Sequence, residues 1–238
     1  MSFINLNEYL SLLKKANRII CVKDYKKYKS ALILRHDVDE SMDFAYELYR
    51  LENSNNIKST YYILLTSDLY NPFSAKNKKR IKEMVENGFE VGLHFDPLAY
   101  DSENLIENFK KEVEAFEKFL EIKLYSYSMH NPSVSGKYIK YLKLLDAYDD
   151  SIFCDECYIS DSAFSFRGKD LNEYIEKSNY RLVQLLIHAD HLIANGEISY
   201  KKPIKRMMNN YLEKIDDMYK VNKIYKTERE ALLIEYKC

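Results

Sequence analysis

The chain has 238 residues, and its 36 Lys and Arg against 37 Asp and Glu leave a formal net charge of −1. This balance excludes the simplest basic nucleic-acid binders, because phosphate recognition leaves a cationic footprint. No stretch approaches the roughly 20 apolar residues of a spanning helix, the first residues lack a secretory pattern, and four cysteines are too few for a disulfide framework. We therefore expect one reduced, cytoplasmic domain over 1–238, with no membrane span and no nucleic-acid partner.

Strand-like and helix-like segments alternate along the chain. Apolar runs rich in β-branched and aromatic residues predict strands, and amphipathic stretches with a spacing of three to four predict helices. The predicted elements are, in order, strand 31–35, helix 41–53, strand 59–65, helix 75–87, strand 89–93, helix 103–120, strand 124–129, helix 136–147, a weaker strand at 151–154, strand 182–187 and a Lys-rich helical tail over about 199–238. This alternation predicts a parallel sheet buried on both faces, as an open doubly wound fold or a barrel.

Histidines fall at the ends of four predicted strands. They are His36, His94, His130 and His188, and His191 follows three residues after the last of them. Because the carboxyl ends of parallel strands converge at one mouth of such folds, we expect a functional site there.

The first of these strand ends also carries two carboxylates, Asp37 and Asp39. Residues two apart in an extended chain point to the same side, so the two carboxylates form a pair. Together with imidazoles from neighbouring strands they suit Zn²⁺ or a similar divalent ion. The alternative is a solvated strand end at which Asp39 caps the following helix.

Several motifs occur in an order and spacing that resemble a known family. They are Arg-His-Asp-Val-Asp at 35–39, Ile-Lys-Ser-Thr-Tyr-Tyr-Ile-Leu at 57–64, Asn-Gly-Phe-Glu-Val-Gly-Leu-His-Phe-Asp at 87–96, Ser-Met-His-Asn-Pro at 128–132, Asp-Ser at 161–162 with Arg167, and Gln-Leu-Leu-Ile-His at 184–188. This set resembles the NodB-homology polysaccharide deacetylases of carbohydrate esterase family 4, most of all a divergent WbmS-like branch. The resemblance covers about 32–191, so the predicted core is about 31–191.

The resemblance implies a distorted (β/α) barrel with seven or so parallel strands. It also implies metal-dependent hydrolysis of a C–N amide, an N-deacetylation, on a sugar, nucleotide-sugar or oligosaccharide of surface-polysaccharide (O-antigen-type) biosynthesis. By motif position, Asp37 resembles the general base and His188 the general acid, with Asp161 as the acidic partner of that histidine. Asp39 and His94 resemble metal ligands.

The sequence departs from the family pattern at the metal site. The position that usually carries a second histidine ligand is Leu98, and His130 stands where the family has an arginine. We interpret His130 as the third ligand of a divalent metal, with zinc as the first expectation and cobalt or nickel as alternatives. Two other interpretations stay open: Asp37 also binds the metal, or the metal site is lost.

Arg167, Asn131 and Tyr70 are the predicted substrate-binding residues, Arg167 because a guanidinium grips carboxylate or phosphate. The Cys154-Asp155-Glu156-Cys157 segment is interpreted as structural, because a zinc site needs a second pair. The Lys runs at 76–80 and 201–202 are interpreted as solvated faces, because the net charge disfavours a polyanion partner.

Two functions other than deacetylation remain open for the whole domain. One is a non-catalytic sugar-binding barrel, and the other is amide hydrolysis or exchange on a uronamide sugar.

Overall fold

The computed structural model describes residues 3–100 and 102–236. In this part of the chain the helices are α1 (Leu6–Leu13), α2 (Met42–Ser54), α3 (Ala75–Glu86), α4 (Leu105–Leu120), α5 (Pro132–Ser135), α6 (Leu171–Lys177), α7 (Ala189–Ile193), α8 (Lys201–Tyr219) and α9 (Lys223–Tyr236). The strands are β1 (Ile19–Ile20), β2 (Ala31–Val38), β3 (Thr60–Leu64), β4 (Glu90–Phe95), β5 (Ser126–Met129), β6 (Leu145–Asp146), β7 (Tyr158–Ser160) and β8 (Leu182–Leu186).

Seven parallel strands curl into a half-barrel, which confirms the predicted distorted (β/α) architecture. Their order is β6-β5-β4-β3-β2-β8-β7, and the two-residue β1 pairs in parallel with the first half of β2. Among the described residues no ladder joins the end strands β6 and β7. The gap is bridged by the buried side chain of Gln184 on β8, whose Nε2 donates to the carbonyls of Ala147 (3.0 Å) and Ile152 (3.1 Å).

Strand β2 distributes its side chains to the two faces of the sheet in strict alternation. Ile33 packs inside the half-barrel against Tyr62 and Ile152, whereas Leu34 packs outward beneath the helices. His36 shares the outward parity, so the structure turns it away from the strand-end mouth. Its Nε2 lies 2.8 Å from Oε1 of the buried Glu52 on α2, and its Nδ1 lies 2.7 Å from the carbonyl of Ile187.

Gly92 occupies a position of β4 that has no room for a side chain. A Cβ added there would lie 2.4 Å from the ring of Tyr62 and 3.0 Å from the carbonyl of Ser126. Neither neighbour has room to move, because Tyr62 is fully buried and its hydroxyl bonds Ser126 Oγ at 2.7 Å. Glycine therefore lets the ring of Tyr62 fill the barrel interior.

Two predicted elements are wrong. The amphipathic segment 136–147 is an irregular stretch that ends in β6, and Gly136 terminates the short helix α5 with a positive φ of 63°. The weak strand at 151–154 is a turn, and the strand forms later, at β7.

The expectation of reduced cysteines is also wrong for one pair. Cys154 and Cys157 form a disulfide in the turn before β7, with Cα atoms 5.1 Å apart.

The C-terminal tail forms α8 and α9, as predicted, although 237–238 lie outside the described residues. In the part of the chain that the structure describes, none of the helices combines the length and the apolar character needed to cross a bilayer.

Candidate active site

Three of the predicted ligands meet at the carboxyl ends of β2, β4 and β5. Asp39 Oδ1 lies 3.1 Å from His94 Nε2 and 3.4 Å from His130 Nδ1, and the two imidazole nitrogens are 3.2 Å apart. We call these three atoms the donor triangle. Burial by itself would raise the pKa of Asp39, but contacts with His130 and His94 outweigh it and hold that pKa well below its usual range. Asp39 is therefore an ionised carboxylate facing two imidazoles.

The dimensions of the donor triangle fit a divalent metal. Ligand atoms about 2.0–2.1 Å from a tetrahedral Zn²⁺ lie about 3.3–3.4 Å from one another, close to the three edges found here. Asp39 Oδ1 is buried and accepts no hydrogen bond from the described residues. Since two imidazole nitrogens also face each other across 3.2 Å, a cation between the three atoms satisfies all of them.

Asp37 lies beside the triangle and is held by Arg35 from the same face of β2. Arg35 Nη2 donates to Asp37 Oδ2 at 2.9 Å, and that oxygen is 3.8 Å from His94 Nε2. The other oxygen, Asp37 Oδ1, is buried and has no hydrogen-bond partner among the described residues. Arg35 is fully buried and packs against the rings of Tyr62, Tyr148 and Tyr158, at 5.5, 5.0 and 6.0 Å from their centroids.

His188 follows β8 and lies beside Asp39 of the triangle. Its Nε2 lies 3.7 Å from Asp39 Oδ2, while its Nδ1 lies 2.6 Å from Oδ1 of the fully buried Asp161. Burial lowers the pKa of His188, but Asp161 outweighs this and raises the pKa well above its usual value. Burial likewise acts to raise the pKa of Asp161, and the nearby histidines instead lower it to about 2.

His191 is a second imidazole on the same carboxylate. Its Nδ1 lies 2.8 Å from Asp161 Oδ2, and its Nε2 lies 3.3 Å from the hydroxyl of Tyr200. From the sequence, His191 is interpreted as a buried, hydrogen-bonded histidine, with a further site residue as the alternative, and the structure shows it buried and bonded. Asp161 thus orients two rings, and the spacing of three residues across the first turn of α7 brings both within reach.

Of the three predicted substrate-binding residues, one contacts the donor triangle, one joins two strands and one is exposed. Asn131 Nδ2 lies 3.0 Å from His130 Nε2, so it holds the ring of a triangle member. The Tyr70 hydroxyl donates to the carbonyl of Val38 at 2.6 Å and accepts from Leu64 N, which ties β2 to β3. Arg167 is exposed, and its guanidinium makes no ion pair or hydrogen bond with the described residues. Leu98 is also exposed and lies in a short 3₁₀ turn.

Sequence reasoning missed Arg35 as part of the site. The alternation of side chains along a strand could have identified it. Arg35, Asp37 and Asp39 are two residues apart, so their side chains point to the same, inward face of the sheet. An arginine at an inward position of a buried strand needs a buried counter-charge, and Asp37 supplies it.

Comparison with known proteins finds similarity only among solved structures. No family model matches the chain, and no curated protein matches it. A protein of Bordetella bronchiseptica named as a polysaccharide deacetylase of O-antigen biosynthesis is 14% identical, with 87% of this chain and 89% of that chain covered and a TM-score of 0.49. The chitin deacetylase of the fungus Colletotrichum lindemuthianum is 12% identical, with 82% and 87% covered and a TM-score of 0.47.

The peptidoglycan deacetylase PdaC of Bacillus subtilis is 12% identical, with 84% of this chain and 97% of that chain covered and a TM-score of 0.45. These names describe those proteins, whose sequences share few residues with this one. The structural neighbours of this chain thus include polysaccharide deacetylases of the carbohydrate esterase family 4 type, one of them named for O-antigen biosynthesis, and also a pseudoenzyme of that family from Bacillus anthracis.

Proposed function

We propose that this protein is a metal-dependent hydrolase that removes the acetyl group from an N-acetylated sugar. The observation that carries the proposal is the donor triangle of Asp39, His94 and His130, with Asp37 beside His94 and the His188–Asp161 pair beside the second oxygen of Asp39. A cation at the triangle would lie near a free carboxylate oxygen and an imidazole, the groups that metal-assisted amide hydrolysis uses as base and acid.

The three residues of the donor triangle would hold the metal, with zinc as the proposed ion. Lewis acidity at this point would polarise the acetyl carbonyl and make water a better nucleophile near neutral pH. Two protein side chains of the triangle are imidazoles and one is a carboxylate, a set that zinc accepts in catalytic sites with an open fourth position.

Asp37 is the proposed general base. One of its oxygens is occupied by the guanidinium of Arg35, which leaves Oδ1 as the acceptor for a proton from the attacking water. Because Arg35 is fully buried and packed among three tyrosine rings, it fixes the orientation of the Asp37 carboxylate.

His188 is the proposed general acid. Asp161 accepts from Nδ1, so Nε2 faces the site, and the raised pKa keeps a proton on the ring. That proton passes to the departing amine nitrogen, which would otherwise leave as an unstable amide anion. A base and an acid that both adjoin the triangle are the two proton-transfer groups that amide cleavage needs.

The proposed substrate is an N-acetylated sugar, nucleotide-sugar or oligosaccharide of surface-polysaccharide biosynthesis. The support is the family resemblance of the motifs at 35–39, 87–96, 128–132 and 184–188. The donor triangle contains members of the first three of these segments, and the proposed acid ends the fourth.

The metal content of the purified protein tests the proposal. We expect about one Zn²⁺ per chain without added metal, and loss of that metal in both His94→Ala and His130→Ala. The wild-type protein should also release acetate from at least one member of a panel of N-acetylated sugars. A protein that is free of metal as purified and does not bind added Zn²⁺, Co²⁺ or Ni²⁺ would contradict hydrolysis and favour a sugar-binding barrel.

A further inference from the structure

Helix α8 carries an apolar stripe that the described structure leaves about half exposed. The stripe consists of side chains spaced by four, three, four and three residues, each between 36% and 66% exposed: Ile204, Met208, Tyr211, Ile215 and Met218. Beyond it, Val221 and Ile224 are more than 70% exposed at the turn into α9. A helix normally turns its apolar stripe toward the core, so this orientation points to a missing partner.

The other two sides of α8 are occupied. Toward the barrel it forms ion pairs, Arg206 with Glu47 and Lys214 with Asp43 Oδ2 at 3.1 Å. Toward α9, Asp216 binds Arg229 at 2.6 Å. At 100° per residue the stripe lies between these two sides, so α8 is fixed in place while its apolar residues face outward.

Lysines without an acidic partner flank the stripe. Residues 201–226 contain eight Lys and Arg against three Asp and Glu. Four of the eight are ion-paired, with Glu197, Glu47, Asp43 and Asp217, which leaves Lys201, Lys205, Lys223 and Lys226 without an acidic partner among the described residues. Lys201 and Lys205 lie on one flank of the stripe, and Lys220, Lys223 and Lys226 surround the turn. The net charge of the whole chain therefore gives no sign of this local excess of lysine. The sequence-based interpretation of 201–202 as a solvated face does not consider the apolar stripe beside it.

The stripe also leads toward the candidate active site. Tyr211 and Met207 line a groove with a cavity volume of about 330 Å³, which is also lined by Glu40 and Tyr70. Glu40 follows Asp39 of the donor triangle in the chain. A surface that contacts the stripe therefore comes close to the rim of the site.

We propose that α8 and the turn into α9 dock on an anionic lipid bilayer. An interfacial helix buries an apolar face among the acyl chains near the headgroups, and flanking lysines gain attraction from anionic lipid. A second copy of the chain fits the same surface less well, because an α8–α8 pair would bring lysine flanks together without acidic partners. Docking goes beyond the proposed function and does not depend on it.

Vesicle co-sedimentation of the full-length protein tests the docking. We expect binding to vesicles of phosphatidylcholine with phosphatidylglycerol, little binding to phosphatidylcholine alone, and weakening with added salt. Ile215→Asp should lower the partition coefficient about tenfold or more, and Lys205→Glu should lower it several-fold. Leu142→Asp is the matched control, because Leu142 is 91% exposed but lies away from α8, and it should bind as wild type does.

Three outcomes would overturn the docking proposal. They are an absence of binding to anionic vesicles, binding that does not depend on lipid charge, and an unchanged partition of Ile215→Asp. Light scattering on the same samples identifies the competing case, a dimer in solution that Ile215→Asp dissociates and that does not bind vesicles. Neither substrate nor metal enters this experiment, so its failure and the failure of the deacetylase proposal are distinguishable.

Discussion

At the scale of single residues, the most informative pair is Arg35 and Asp37. Arg35 is the largest fully buried side chain, and it makes its one ion pair in the described structure with Asp37. A buried charge that loses its partner is far more costly than an exposed one. Removing one member of the pair should therefore destabilise the barrel interior as well as disturb the proposed base, Asp37.

Replacing Arg35 with Met should cost about 3–5 kcal/mol of unfolding free energy, because Asp37 would remain buried without its counter-charge. Arg35→Lys keeps the charge but not the planar fork, so it should recover part of the stability and little of the kcat. Chemical denaturation and steady-state kinetics measure the two effects. An Arg35→Met protein as stable and as active as wild type would contradict the role given to this pair.

His188→Ala should keep the metal and lose turnover. Its Nε2 is 3.7 Å from Asp39 Oδ2 and lies outside the donor triangle, so the three proposed ligands remain in place. Loss of a general acid lowers kcat about 10²–10⁴-fold. Elemental analysis and acetate release on the same preparation separate the two roles. If the variant loses its metal, His188 is a ligand and its assignment as the acid is wrong.

Much of the site could be predicted because its residues follow strands. Asp39, His94 and His130 come at or just after the ends of β2, β4 and β5, and strand ends converge whatever the details of packing. The role of Asn131 could not be predicted in this way. It adopts a left-handed φ of 43° and bonds the ring of His130, and both facts depend on how the loop after β5 turns.

At the scale of elements, α4 carries a buried carboxyl that works against stability at neutral pH. Glu112 accepts a hydrogen bond from the Tyr100 hydroxyl at 2.7 Å through Oε1, while Oε2 is buried with no partner among the described residues. Burial raises the pKa of Glu112 to about 7. The unfolded chain ionises this group at lower pH, so stability falls as the pH rises from about 4.5 and the loss is complete above about 7.

Glu112→Gln should therefore stabilise the protein at pH 8 by up to about 3 kcal/mol and have a much smaller effect at pH 5. The amide oxygen of glutamine can still accept from Tyr100, so the helix keeps that contact. Denaturation at the two pH values measures the difference. Glu114→Gln is the control, because Glu114 is exposed on the same helix and should change stability by less than about 0.5 kcal/mol at either pH. Equal effects of Glu112→Gln at both pH values would contradict the raised pKa.

The sequence-based predictions of elements fail where contacts with residues distant in the chain, and not local helix propensity, decide the backbone conformation. Segment 136–147 has apolar residues at helical spacing, but Tyr127 binds it from β5: its hydroxyl donates to the carbonyl of Ile139 and accepts from Tyr141 N. These bonds satisfy two backbone groups of the segment, at Ile139 and Tyr141, without a helix. The predicted strands at 31–35, 59–65, 89–93, 124–129 and 182–187 are confirmed, since a strand buried on both faces is recognisable from its own residues.

At the scale of the whole molecule, the segment between β6 and β7 takes the place of the closing ladder. Tyr148 and Ile152 fill the inner side of this gap, and Gln184 reaches across to it. Tyr148 also lies 3.3 Å from Arg35 Nη2 through its hydroxyl. The irregular segment thus seals the barrel interior and at the same time packs against the residue that holds the proposed base.

The position of β2 between β3 and β8 affects how the chain can assemble. Its partner on one side, β3, follows within about 30 residues, whereas the ladder to β8 joins Ala31 to Leu182, about 150 residues later. As the chain is synthesised, β2 to β5 can pair in order while the other edge of β2 stays open until β8 emerges. His188 follows β8 and Asp161 follows β7, so the two come together only after β8 has paired with β2 and with β7. The proposed acid is therefore assembled last, after the three residues of the donor triangle can already meet.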